Sequence, residues 1–186
     1  NYDYVRFPSD GNTKQATYPF WDQKIPRHEV LKSFFIESHD VLKKYDPDIA
    51  LSIDIFGYTF IQNNDLGIGQ RVEDAIDQFD AIYPMVYPSH YITGNFGFTN
   101  PAEHPYEVVK GTLESGLKSL GDKGEASKQK IRPWLQVFDM GAIYTPAFIR
   151  AQVQATADAL APHSTGWLMW DPKNEYAAVR GLNKTD

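Results

Sequence analysis

The sequence predicts an α/β fold, the C-terminal part (about strands 4–8) of a TIM (β/α)8 barrel, and three observations carry that prediction. Short apolar runs alternate with amphipathic segments along the chain, the rhythm of parallel strands joined by crossover helices. Each run ends in a polar or aromatic cluster, where barrels of this kind place their working residues. No Gly-x-Gly-x-x-Gly or P-loop stands at any of these turns, so a nucleotide-binding open sheet is disfavoured. Five strands can be counted where a closed barrel has eight. Either three further strands precede the chain, or the sheet is open and five-stranded.

The opening run, Tyr2 to Phe7, reads as a buried strand that delivers Asp3 and Arg6 to its end before the break Pro8-Ser9-Asp10-Gly11. Only two residues precede Asp3, so this strand is expected to begin upstream and residues 1–186 to form one N-terminally incomplete domain. A helix is expected from about Arg27 to Tyr45. Val30, Leu31, Phe34, Phe35, Val41, Leu42 and Tyr45 recur at helical spacing, Pro26 suits the start, and Asp46-Pro47 stops it. Residues 49–56 form a buried-type strand ending at Gly57, followed by a loop to about Gly69 and a short helix over 71–79. The next strand, 81–87, contains Pro84, which removes a ladder donor and predicts a bulge or bend.

After the loop Pro88 to His104 comes a helix from Pro105 to Leu120, with Val109, Leu113, Leu117 and Leu120 on one stripe. Residues 121–130, charged and glycine-containing, read as a mobile connection. A strand over 132–138, a helix from Pro146 to about Leu160 capped by Thr145, and a strand over 166–170 complete the chain.

Composition narrows the function classes. Hydrophobic content of 42% and charge of 23% are those of a folded domain, and 186 residues suffice for one core. A net charge of −6 with no basic run argues against nucleic acid and anionic membrane surfaces. No apolar run approaches the roughly 20 residues of a membrane span. The absence of cysteine excludes disulfides, Cys-ligated zinc and thiol nucleophiles, and no His or Asp spacing fits a metal site, so no cofactor is expected. Aromatics make up 14% and several lie beside predicted loops. They fit the C–H faces of sugars, although filling the core is the simpler use of any one ring.

Reading the strand ends in order gives Asp3 and Arg6, then Asp54 and Tyr58, then Tyr87, Ser89, His90 and Tyr91. Gln136 and Asp139 follow, and then Trp170, Asp171 and Asn174. Asp54 lies within Ile-Ala-Leu-Ser-Ile-Asp-Ile-Phe, where an unpaired charge would cost several kcal/mol. It either acts on a substrate or pairs with Arg6 or backbone N–H groups. Asp139 and Asp171 sit beside Met-Gly and Pro, which favours turn roles. Arg6 either keeps Asp3 ionised or binds substrate. His90 either donates to a sugar hydroxyl or acts as an acid, or else caps its loop.

Two carboxylates on adjacent strand ends suit glycoside hydrolysis, in which one acid protonates the leaving oxygen and the other is nucleophile or base. Asp3 and Asp54 are the candidate catalytic pair, with Asp54 as the acid and Asp3 as the ionised partner, an assignment that can be reversed at little cost. Arg6, Tyr58, Tyr87, His90, Trp134, Gln136, Trp167 and Trp170 are the candidate substrate contacts.

Four blocks resemble a known family: Asp3-Tyr4-Val5-Arg6-Phe7-Pro8-Ser9-Asp10-Gly11, Ser52-Ile53-Asp54-Ile55-Phe56-Gly57-Tyr58, Tyr83-Pro84-Met85-Val86-Tyr87-Pro88-Ser89-His90-Tyr91 and Gly166-Trp167-Leu168-Met169-Trp170-Asp171-Pro172. They are similar, in order, to the glycosyl hydrolase domain family DUF4015. The resemblance implies a β/α barrel related to α-amylase and α-galactosidase type enzymes, with Asp3 as the nucleophile at the end of strand four. Amylase-like barrels take the acid from the fifth strand, where Asp54 would stand. In α-galactosidase-like barrels it comes from the sixth, where Tyr87-Pro88-Ser89-His90-Tyr91 has no carboxylate.

The leading expectation is therefore a glycoside hydrolase of bacterial type acting on a polysaccharide or oligosaccharide. A non-catalytic carbohydrate-binding barrel is the alternative, and a purely structural module the third reading. The open, apolar sheet edge beside residues 2–7 also predicts self-association if the chain is truly this short.

Overall fold

The computed structural model of the protein describes residues 1–19 and 21–182. Strands β1 (Ser52–Phe56), β2 (Ala81–Val86), β3 (Trp134–Gln136) and β4 (Leu168–Trp170) form one sheet in the order β1-β2-β3-β4, with every pairing parallel. Between and around them lie helices α1 (Arg27–Tyr45), α2 (Val72–Ala75), α3 (Pro105–Ser119), α4 (Gly124–Ser127) and α5 (Pro146–Leu160). The spatial order of the strands follows the chain. A doubly wound sheet reverses its strand order at a switch point. The unreversed progression of parallel β/α units is the strand order that a segment of a β/α barrel also has.

Period-2 alternation gives the sheet two unlike faces. On one, Ile53, Ile55, Ile82, Val86 and Leu135 are at most 1% exposed and pack with Leu31 and Phe35 of α1, Val108, Val109 and Leu113 of α3, and Leu160 of α5. Each such side chain contributes about 1.5–3 kcal/mol by burial. The other face carries Asp54 opposite Tyr83, and Phe56 opposite Met85, which in turn opposes Trp134. One face holds the core and the other presents chemistry.

Several local expectations hold. Helix α1 occupies the interval expected between Pro26 and Asp46, and the Thr145 hydroxyl accepts the Phe148 N–H at the start of α5. The strands are shorter than their apolar runs. β3 begins after Pro133, which has no N–H to donate, and β4 begins after Gly166, which turns at φ 114.

Three expectations are corrected. The opening segment does not form a buried strand. Only Tyr2 pairs, with its N–H donating to Ser52 O and its carbonyl accepting from Asp54 N, both at 2.8 Å. Tyr4 then turns the chain at φ 61, and Asp3 and Tyr4 are exposed. Pro84 makes no bulge against β1, where the register runs one-to-one from Ser52↔Ala81 to Phe56↔Met85. Its missing donor falls on the β3 side, between the pairs Ile82↔Ile131 and Met85↔Trp134, where the register sets Pro84 against Pro133. Residues 121–130 are not a loose connection. They hold α4 between 3-10 turns, while Lys130 donates to Ile76 O and Phe79 O and Lys128 donates to Ala161 O.

Helix α3 lies so close to the turn after β1 that a Cβ at Gly116 would stand 1.9 Å from Phe60 Cδ1. Phe60 is 1% exposed and cannot swing aside. Gly116→Ala is therefore expected to destabilise the protein by about 1–3 kcal/mol, the usual cost of overpacking. Urea unfolding would measure it, and an unchanged midpoint would refute the tight contact.

Candidate active site

Asp54 anchors the site. It projects from the middle of β1 on the face away from the helices and is 5% exposed. Its Oδ1 accepts the Trp134 indole N–H at 2.7 Å, and its Oδ2 accepts the Asn1 amide N–H at 2.8 Å. The Ser52 hydroxyl donates to Asn1 Oδ1 at 2.8 Å, so the amide is itself oriented. Burial is the largest influence on the carboxyl and raises its pKa. The two donors pull it partly back, and the nearby Asp3 charge pushes it further up.

Asp54 opens onto a cleft of about 270 Å³ at the C-terminal ends of β1 and β2. Asp3, Arg6, Tyr58, Tyr87 and His90 line the same cleft, so six of the sequence-derived candidates share one cavity. Asp3 reaches it from the exposed opening segment, and Asp54 from the sheet. The two carboxylates thus face one space from unlike surroundings. Trp134 joins through its bond to Asp54, and Trp170 stands behind it, edge-on at 6.3 Å between centroids.

The other lining groups have distinct states. Burial is the main cause that raises the Tyr87 phenol pKa, with Asp54 and Asp3 adding to it, so this hydroxyl keeps its proton. Burial lowers the His90 pKa, so the imidazole is neutral at pH 7. Its Nδ1 lies 3.1 Å from Ser89 Oγ, and Tyr87 and Phe138 meet its ring edge-on. The Tyr58 hydroxyl accepts from Ile92 N and Asn95 Nδ2, leaving its ring for the cleft, stacked on Tyr91 at 4.8 Å.

Some candidates make other contacts than expected or lie elsewhere. Arg6 makes no ion pair with Asp3. Its Nη1 donates to Ser9 Oγ at 3.0 Å and Phe7 O at 3.3 Å. Gln136 is fully buried and its amide is spent, accepting from Ser89 N and donating to Phe138 O, so it shapes the loop rather than facing the cleft. Trp167 precedes β4 and stands at the opposite end of that strand from the cleft side. Asp139 accepts from Tyr144 N, and Asp171 from Lys173 N and Tyr176 N, the turn roles expected of them.

Sequence reasoning missed Asn1, Tyr4, Phe56, Gln70 and Met85. Phe56 was within reach, being two residues beyond Asp54 and therefore on its face. Gln70 had no signal. It is buried, and its amide accepts Phe56 N and donates to Val5 O, tying the opening segment to the end of β1. Among the described residues no three His, Asp or Glu side chains gather in a way that could hold a metal ion.

Residues 1–176 match the family model DUF4015, described as "Putative glycosyl hydrolase domain". The chain belongs to the DUF4015 family. Its fold is similar to the glycoside hydrolase domain of PgaB (BpsB) from Bordetella bronchiseptica, with a TM-score of 0.54 at 12% identity. The match covers 86% of this chain and 43% of that one, so this DUF4015 chain spans less than half the length of that domain. At that identity the likeness concerns the fold, an α/β arrangement with a four-stranded parallel sheet that matches part of a TIM-barrel-like domain. A comparison with curated proteins gives no match. No helix among the described residues is long and apolar enough to cross a membrane.

Proposed function

We propose that the protein is a glycoside hydrolase acting on a polysaccharide or oligosaccharide through Asp54 and Asp3. The observation that carries this reading is the pair of carboxylates on one cleft, one buried with a raised pKa and one exposed. Glycoside hydrolysis needs two acids whose environments hold them in different protonation states. Asp54 is the proton donor to the leaving oxygen, and Asp3 is the carboxylate opposite it. Tyr58, Tyr87 and Phe56 offer ring surface to the sugar, and Tyr87 and His90 offer donors. Membership of DUF4015 and the glycoside hydrolase title of the PgaB domain support the same reaction class.

A second reading is a carbohydrate-binding module without turnover. Both oxygens of Asp54 already accept protein donors, an arrangement that also suits a carboxylate kept for structure. Release of reducing ends from a panel of neutral and acidic polysaccharides separates the two. Asp3→Asn is expected to lower hydrolysis by roughly 10²-fold or more while glycan binding persists. Binding without cleavage by the unmodified protein would favour the second reading, and absence of both would defeat each.

A further inference from the structure

Arg6 lines the cleft beside two acids and, among the described residues, has no carboxylate partner of its own. Its Nη1 is occupied by Ser9 Oγ and Phe7 O. Nε and Nη2, the two donors that share one edge of the guanidinium, make no hydrogen bond among the described residues. That edge is the one that matches a carboxylate with two parallel hydrogen bonds. The guanidinium is also held in place, with Cζ 4.8 Å from the centroids of both the Tyr4 and Phe56 rings. Tyr4 takes part only because its backbone adopts φ 61, a conformation that costs a non-glycine residue about 1–2 kcal/mol.

Arg6 and Tyr4 belong to two cavities. Besides the cleft, they line an adjoining depression of about 280 Å³ with Pro8, Ser9 and Asp10. Arg6 is therefore the wall between the space at Asp54 and the space next to it. Asp10 accepts the Ser9 hydroxyl at 3.0 Å, so its charge is directed at the segment's own loop. With Asp3, Asp54 and Asp10 around the two cavities, an anionic group is disfavoured everywhere except on the open edge of Arg6. A neutral sugar hydroxyl can accept from that edge but leaves its charge unmatched, whereas a carboxylate accepts both bonds and neutralises it.

We propose that Arg6 is a specificity-determining residue that reads the carboxylate of an acidic sugar, a uronate unit, bound beside the neutral unit that faces Asp54. The proposal rests on the carbohydrate reading above and names the substrate class for it: glycans in which uronate units stand among neutral ones. A chain carrying a carboxylate on every unit would meet Asp3 and Asp54 and be rejected.

The test uses glucuronoxylan oligosaccharides and the same oligosaccharides after chemical reduction of their carboxyl groups, with binding followed by calorimetry. The protein is expected to prefer the acidic form by roughly tenfold or more, and the preference should shrink as salt is raised. Arg6→Gln should bring the ratio of the two affinities to about one. Arg6→Lys, which keeps the charge and loses the two-donor edge, should recover only part of it. Equal binding of both forms by the unmodified protein would overturn the inference and leave the glycosidase reading standing. Equal retention of dextran sulfate would show a response to charge alone and also overturn it. Failure to bind any glycan would overturn both readings.

Discussion

Asp54→Asn is expected to lower glycan hydrolysis by roughly 10²- to 10⁴-fold, the range typical for loss of a general acid or base. The substitution keeps the side chain's volume, and Trp134 Nε1 can still donate to the Asn oxygen at the position of Oδ1. Asn1 can turn its amide to receive the new N–H, since its other partner is the rotatable Ser52 hydroxyl. The fold should therefore survive.

Stability makes this prediction sharper. Because the folded state raises the Asp54 pKa above its unfolded value, the protonated form is the one the fold favours. Below the unfolded pKa of about 3.9 the group carries no penalty. As pH rises through the folded pKa, the penalty of the buried anion becomes complete. At pH 7 the Asn variant should match or exceed the unmodified protein in urea midpoint, and the gap should close near pH 3. An inactive variant that is also much less stable at pH 7 would mark Asp54 as a structural acceptor. A variant with near-normal hydrolysis would remove it from the mechanism.

Trp134→Phe is expected to shift the pH profile. It deletes the 2.7 Å bond to Oδ1 while leaving a smaller aromatic ring beside Trp170. The Trp134 bond favours the ionised carboxyl, so its loss should raise the Asp54 pKa further. If Asp54 works protonated, the alkaline limb of kcat/KM should move up in pH. If Asp54 works as an anion, the acid limb should move instead, so the variant also assigns the role. A profile that does not move would place Asp54 outside the rate-determining proton transfers.

The parts of the fold that could be read in the sequence are those decided locally. Pro26 and Asp46-Pro47 bracket α1, Thr145-Pro146 starts α5, and Asp54 declares itself as a lone acid in an apolar run. What could not be read depends on partners far along the chain. Nearness in the chain makes Arg6 a candidate charge partner for Asp3, but residues three apart lie on opposite faces of a strand, the chain turns between the two at Tyr4, and the guanidinium is committed to Ser9 and Phe7. Gln136 looked like a strand-end contact until Ser89 and Phe138 claimed its amide. Pro84 forecast a bulge because its opposite number, Pro133, lies 49 positions away in register and neither residue needs a donor from the other.

Gln136 carries one more consequence. Its backbone N–H donates to Gln152 Oε1 at 3.0 Å, and its carbonyl accepts from Gln152 Nε2 at 2.8 Å, so a buried side-chain amide of α5 takes the place of a neighbouring strand. Its own side chain then holds the Ser89 N–H at 3.1 Å. The loop bearing His90 is thereby moored to the sheet and a helix at once. Conformational entropy given up at that tether during folding is not lost again on binding, so a ligand entering the cleft meets a loop already anchored at its base.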